Sequence, residues 1–151
     1  MKQYTLPKRE RLYLRESIGE LFAKGRSFTA FPYRVVYLIK QDDEVENLPS
    51  AQKQARCAVM VVAPKKRFKH AVDRNRVKRL TREAYRLQKL PLCALLEEKK
   101  LRLEVSFLYI DSKFLTFEET KSTIGKVLYK LCKAVTTEAK NMENISNQAD
   151  Q

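Results

Sequence analysis

One histidine and no tryptophan occur in this chain of 151 residues. The lone imidazole, His70, leaves no way to build a nuclease centre that depends on a pair of histidines. Cysteine is nearly as scarce: Cys57, Cys93 and Cys132 stand far apart, odd in number and without C-x-x-C spacing. That spacing excludes a zinc ribbon and disfavours a disulfide framework. It fits a reduced, cytosolic compartment in which the three serve as small core residues. With 3 glycines and 5 prolines the chain is no low-complexity polymer, and no glycine-rich phosphate loop can be drawn from it. Apolar runs fall well short of the roughly 20 residues that span a bilayer. The start, Met1-Lys2-Gln3-Tyr4-Thr5-Leu6-Pro7-Lys8-Arg9-Glu10-Arg11, carries charge with no apolar stretch behind it, so no secretory signal is expected. The expectation is a soluble, cytoplasmic protein with no membrane partner.

Negative charge is the shortage with the most functional meaning. Only 18 Asp and Glu stand against 31 Lys and Arg, a formal net charge of +13. Self-repulsion on that scale opposes compaction, so a folded protein tolerates it best when its field attracts a polyanion. Folding itself is not in doubt, because 44% of the residues are hydrophobic and the length suits one domain with a real core.

Leu12, Ile18, Leu21 and Phe22 recur at helical spacing and Lys24-Gly25 supplies a stop, which predicts a helix over 11–24. Phe31-Pro32-Tyr33-Arg34-Val35-Val36-Tyr37-Leu38-Ile39 is aromatic and β-branched, a strand beginning after the proline. Residues 41–54 are polar and locally acidic, which reads as the extended tip of a hairpin. Arg56-Cys57-Ala58-Val59-Met60-Val61-Val62-Ala63 is a continuous apolar run of the kind covered on both faces, ended by Pro64. A basic connection then enters a helix over 70–88, a further strand covers 101–110, and Thr116-Phe117-Glu118-Glu119 opens a capping box. Ile124, Val127, Leu128, Leu131 and Val135 make one stripe of a last helix over 117–137, after which 138–151 reads as a frayed, disordered tail. The sum is one α+β domain over 1–137, a small two-layer sandwich of a central sheet with packed helices.

The densest cationic stretch is Arg74-Asn75-Arg76-Val77-Lys78-Arg79-Leu80-Thr81-Arg82-Glu83. At about 100° per residue, Val77, Leu80, Ala84 and Leu87 share one narrow sector, and Asn75, Lys78, Arg79, Arg82 and Arg86 take the opposite side. Arg76 and Glu83 border the two faces, where hydrogen-bonding or ion-pair roles suit them, and Arg74 sits at the other border beside Tyr85. Guanidinium groups offer phosphate planar, bidentate donors, and lysines add point charges. Lys65, Lys66, Arg67 and Lys69 extend the positive surface around the helix N-terminus, where free N–H groups also favour an anion. A preceding strand, rather than a helix and short turn, argues against a helix-turn-helix reading DNA bases. Docking on RNA is the expectation.

No active site is evident. Asp42, Asp43, Glu44 and Glu46 lie in a polar loop with nothing to frame a metal, and Asp73 and Glu83 do not make a two-metal site by spacing. Composition fits two function classes equally: the subunit of a ribonucleoprotein endonuclease, or a structural RNA-binding protein or RNA chaperone with no processing role.

The pattern Arg74-Asn75-Arg76-x-Lys78-Arg79-x-x-Arg82-Glu83 resembles the signature of the bacterial ribonuclease P protein subunits. Val62-Ala63-Pro64-Lys65-Lys66, Leu21-Phe22-Ala23-Lys24-Gly25-Arg26-Ser27, the strand from 103 to 110 and Phe117-Glu118-Glu119 resemble the segments that flank that signature, over about 8–135. The resemblance favours the first function class. It implies a ribosomal-protein-like sandwich with a left-handed crossover at the signature helix. The implied activity is endonucleolytic removal of the 5′ leader from precursor tRNA, catalysed by an RNA subunit with Mg²⁺, so the protein holds no catalytic residue and no cofactor of its own. Its implied partners are the ribonuclease P RNA and precursor tRNA. Carried over by position, Arg74, Asn75, Arg76, Lys78, Arg79 and Arg82 contact the catalytic RNA, joined by Lys65, Lys66 and Arg86. The resemblance places a leader cleft between the first helix and the sheet, with Ile18, Phe22, Tyr33 and Tyr37 as candidates. Ile18 stands where the family commonly carries Phe.

Overall fold

The computed structural model describes residues 10–12, 15–41 and 56–149. In chain order its elements are α1 (Arg15–Lys24), β1 (Arg26–Ala30), β2 (Tyr33–Gln41), β3 (Cys57–Val62), α2 (Ala71–Gln88), α3 (Leu90–Lys99), β4 (Leu101–Tyr109) and α4 (Phe117–Ala149). The four strands form one mixed sheet in the order β1-β2-β4-β3. β1 with β2 and β2 with β4 run antiparallel, and β3 with β4 runs parallel, bridged by the crossover through α2 and α3. The architecture is α+β, as expected.

Strand parity divides the chain between two layers. Pairing of Tyr33 with Tyr109, Val35 with Phe107 and Val61 with Phe107 puts the odd-numbered residues of β2, β3 and β4 on one face. That face carries the main core, where Val35, Val105, Phe107, Ile124, Val127 and Leu131 are fully buried beneath α2, α3 and α4. The other face carries α1, which buries Leu21 and Ser17. There Lys40 pairs with Glu104 at 2.6 Å and with Glu20 of α1 at 3.2 Å. Burial alone lowers the Lys40 pKa, but the two carboxylates outweigh it and raise the net value. Gly25 ends α1 at a close approach: a Cβ there would meet the Tyr37 carbonyl oxygen at 2.9 Å.

Several expectations change. The hairpin across 41–54 does not form, because β4 lies between β2 and β3; the acidic part of that loop falls outside the described residues. β3 is an edge strand, buried at Cys57, Val59 and Val61 and half-buried at the alternate positions, not covered on both faces. Its free edge meets Arg11-Leu12, whose Leu12 N–H donates to the Val59 carbonyl at 2.7 Å. That contact places 11–12 outside the first helix and covers an edge that would otherwise present unpaired backbone. β1 and α3 are additions to the expected elements. α3 carries Pro91 in its first turn, where no N–H is needed, and closes on Lys100 in the left-handed region at φ 57°. The capping box forms: the Glu119 N–H donates to Thr116 Oγ1 at 3.1 Å, and the Thr116 N–H donates to Glu119 Oε1 at 3.2 Å. α4 runs twelve residues past 137, since Ala139 and Met142 still pack on the core and Met142 Sδ accepts from Gln41 Nε2 at 3.2 Å.

Candidate nucleic-acid interface

α2 is fastened to the sheet through its polar residues as well as its apolar ones. Val77, Thr81, Ala84 and Tyr85 are buried, whereas Leu80 and Leu87 are only half-buried. Thr81 Oγ1 donates to the Val77 carbonyl at 2.9 Å, so the Tyr33 hydroxyl donates to Thr81 Oγ1 at 2.6 Å. This bond pins the helix to β2 and fixes which side turns outward.

The outward side carries the cations. Asn75, Arg76 and Arg79 are exposed; Lys78 and Arg82 are half-exposed. Lys65 and Lys66 are exposed on the turn after β3, where the Arg67 and Phe68 N–H groups both donate to the Pro64 carbonyl. Among the described residues no carboxylate lies within ion-pairing distance of Lys65, Lys66, Lys78, Arg79 or Arg82. Arg11, Arg79, Arg82, Arg86 and Glu83 line a shallow depression of about 300 Å³. Burial, reinforced by the Arg11 guanidinium, pulls the Arg82 pKa below its ordinary value. Like charges held this close favour an anion between them, since it relieves repulsion that the fold imposes.

Two expected contacts, Arg74 and Arg86, and a neighbouring cation, Lys89, are committed elsewhere. Arg74 Nη1 donates to the carbonyls of Phe68 at 3.0 Å and Lys69 at 2.9 Å, locking the turn that leads into α2. Arg86 grips Glu83 through two of its guanidinium nitrogens, Nη2 and Nε, the latter at 3.1 Å, so the helix holds a carboxylate partner at i,i+3. Lys89, part of the basic stretch in sequence, is buried and donates to both Glu10 oxygens at 3.0 Å. Arg76 makes neither expected border contact: its guanidinium carbon stands 4.7 Å from the centroid of Phe114, which stacks on Phe68 at 4.9 Å. Phe114 and Arg11 join the surface as residues that sequence spacing did not select, and neither had a signal in the sequence. Lys69 is exposed on it, in the basic connection where the sequence put it.

The sequence model of the ribonuclease P family matches residues 6–131. This chain belongs to the ribonuclease P protein family. The ribonuclease P protein component of Porphyromonas gingivalis is 37% identical over 136 residues, covering 90% of this chain and 93% of its own. That of Chlorobium phaeobacteroides is 31% identical over 134 residues, covering 84% and 88%. The Staphylococcus aureus RNase P protein structure aligns with a TM-score of 0.56 at 18% identity, over 82% of this chain and 95% of its own, a likeness of fold.

The four residues expected at a leader cleft do not come together. Ile18 is half-buried and Phe22 is 53% exposed, both on α1. Tyr33 is 1% exposed and bonded to Thr81, on the face of the sheet opposite α1. Tyr37 shares that face by parity and sits edge-on to Phe28 at 5.9 Å. Tyr33 cannot line a cleft beside α1, and Tyr37 meets α1 only at its last residue, Lys24, in a depression away from Ile18 and Phe22. The β2 residues that do face α1 are Arg34, Val36, Leu38 and Lys40. Among the described residues no group of three His, Cys, Asp or Glu is placed to hold a metal ion.

Proposed function

We propose that this chain is the protein subunit that docks on the catalytic RNA of ribonuclease P and helps it remove the 5′ leader from precursor tRNA. The observation that carries the reading is the run of Lys65, Lys66, Lys78, Arg79 and Arg82 on one side of α2 and on the turn before it, with no carboxylate partner among the described residues and held outward by the Tyr33–Thr81 bond. Lys65, Lys66, Asn75, Arg76, Lys78, Arg79 and Arg82 contact the RNA backbone; Arg74 acts by holding the turn. Phosphate contacts of this kind position a folded RNA without reading its sequence.

The leader runs along the α1 side of the sheet. Ile18 and Phe22 offer apolar surface there, and half-buried Val36 and Leu108 lie on the same face beside exposed Arg34. Sequence-tolerant packing of bases on such a floor, with a cation for the backbone, suits a single strand of variable sequence. Mg²⁺ and the hydrolytic step belong to the RNA subunit, and the described protein residues contribute binding and orientation.

Reconstitution tests the reading. Purified protein is added to ribonuclease P RNA and precursor tRNA at low Mg²⁺, and formation of the mature 5′ end is followed. Cleavage should rise sharply with protein; a rate that does not respond leaves an RNA-binding protein without a processing role.

A further inference from the structure

A second cationic surface runs along α4. Lys126, Lys130, Lys133 and Lys140 are all exposed and, at about 100° per residue, fall within roughly 80° of one another. Between Lys126 and Lys140 no Asp or Glu falls in that sector; Glu138 turns to the flank, where it lines a depression with Lys24, Arg26 and Tyr37. Among the described residues no carboxylate pairs with any of the four lysines. A solvated helix face normally mixes its charges at i,i+3 and i,i+4, and this one does not.

Two of the lysines are held in place by rings. Lys130 Nζ stands 5.3 Å from the centroid of Phe28 on β1, and Lys133 Nζ stands 4.7 Å from that of Tyr129, itself 62% exposed. The stripe extends over about 21 Å of rigid helix at 1.5 Å per residue. α4 leans on β1 and β2 while α2 leans on β3, so the two cationic surfaces sit toward opposite edges of the sheet.

We propose that this lysine stripe is a second phosphate-binding surface for the catalytic RNA, engaged apart from the α2 signature. The inference rests on the reading of the chain as an RNA-docking subunit. Its occupant is a structured RNA rather than the single-stranded leader, because Phe28 and Tyr129 each already hold a lysine over one ring face and the stripe offers charge rather than a row of rings for stacking. Lysines without arginines also fit a rail of phosphates whose local geometry need not be matched bidentately.

The test is a salt titration of binding between the full-length protein and ribonuclease P RNA. Changing Lys126, Lys130, Lys133 and Lys140 together to Gln should reduce the slope of log K against log salt by about 3, and weaken binding roughly tenfold or more, given a slope near 0.7–0.9 per phosphate contact. Changing the same four to Arg should restore the slope. An unchanged slope overturns the proposal, as does a loss confined to precursor tRNA affinity in the holoenzyme. Should the fourfold variant fold poorly, Lys126→Gln and Lys140→Gln, which disturb no ring contact, must each lower the slope measurably. The Arg79→Ala, Arg82→Ala double variant runs alongside. If it weakens binding and the α4 variant does not, only the second surface is lost; if neither does, the docking function itself is lost.

Discussion

Phe114 should behave as part of the RNA-docking surface although it carries no charge. Arg76 stands over its ring at 4.7 Å, and the ring rests on Phe68, which is tilted against Tyr109 at 5.8 Å. The Tyr109 hydroxyl donates to the Lys113 carbonyl at 2.6 Å and so fixes the loop that presents Phe114. Phe114→Leu keeps apolar contact with Phe68 but removes the quadrupole that orients Arg76. A cation–π contact is worth about 0.5–1 kcal/mol at an exposed site and about 2 when desolvated. The ring is 38% exposed in the free protein, so the effect on stability should stay below about 1 kcal/mol. Once RNA covers the site, the coupling should approach about 1–2 kcal/mol, a 5- to 30-fold loss of affinity. The assay is a double-mutant cycle on RNA binding with Arg76→Ala and Phe114→Leu. Losses that add, within about 0.3 kcal/mol, would refute the claim that Phe114 acts through Arg76.

The Lys89–Glu10 pair should matter to stability and not to RNA. Lys89→Met leaves the Glu10 carboxylate buried without its amine and should cost about 3 kcal/mol in chemical denaturation, while RNA affinity measured under native conditions stays level; weakened binding by the folded variant would place Lys89 on the interface after all. Alkaline titration should find three late tyrosines among the described residues: Tyr85, which burial pushes well above the ordinary value, and with it Tyr33 and Tyr109. Burial pushes Tyr33 up to about 12 against the lowering effect of its Thr81 bond, and burial together with Asp111 pushes Tyr109 up to about 12. Both raised values mean that the native state holds these protons longer than the unfolded chain does. The stability they lend is therefore full below about pH 10 and is lost as pH rises through about 12. Tyrosinate absorbance and denaturation midpoints from pH 9 to 12 check this, and ionisation of every tyrosine near pH 10 in folded protein would contradict it.

The signature helix was legible because two signals coincide in it: apolar spacing sets its inner face and charge of one sign sets its outer face. The capping box of α4 was equally plain, being a local exchange of two hydrogen bonds between Thr116 and Glu119. What escaped depends on partners distant in sequence. Lys89 looks like one more surface cation until Glu10, 79 residues away, takes its amine. Arg74 and Arg86 likewise look like RNA contacts by spacing, although carbonyls of the preceding turn occupy the one and the Glu83 carboxylate the other. β1 carries little apolar alternation in Arg26-Ser27-Phe28-Thr29-Ala30, and α3 is too evenly apolar at its start to declare a face. Tyr33 and Tyr37 mark a deeper limit. Parity puts them on one side of a strand, but helices cover both sides of this sheet, and no local pattern says which side holds α1.

The most direct test of the central claim combines Arg79→Ala and Arg82→Ala in the reconstituted ribonuclease P reaction. Both residues lie on the outward side of α2 and neither enters the core, so the variant should fold normally. It should bind ribonuclease P RNA with a salt slope reduced by about 2 and should need far more protein to stimulate leader removal at low Mg²⁺. A folded variant with wild-type RNA affinity and wild-type stimulation would contradict the assignment of α2 as the face that docks on the catalytic RNA.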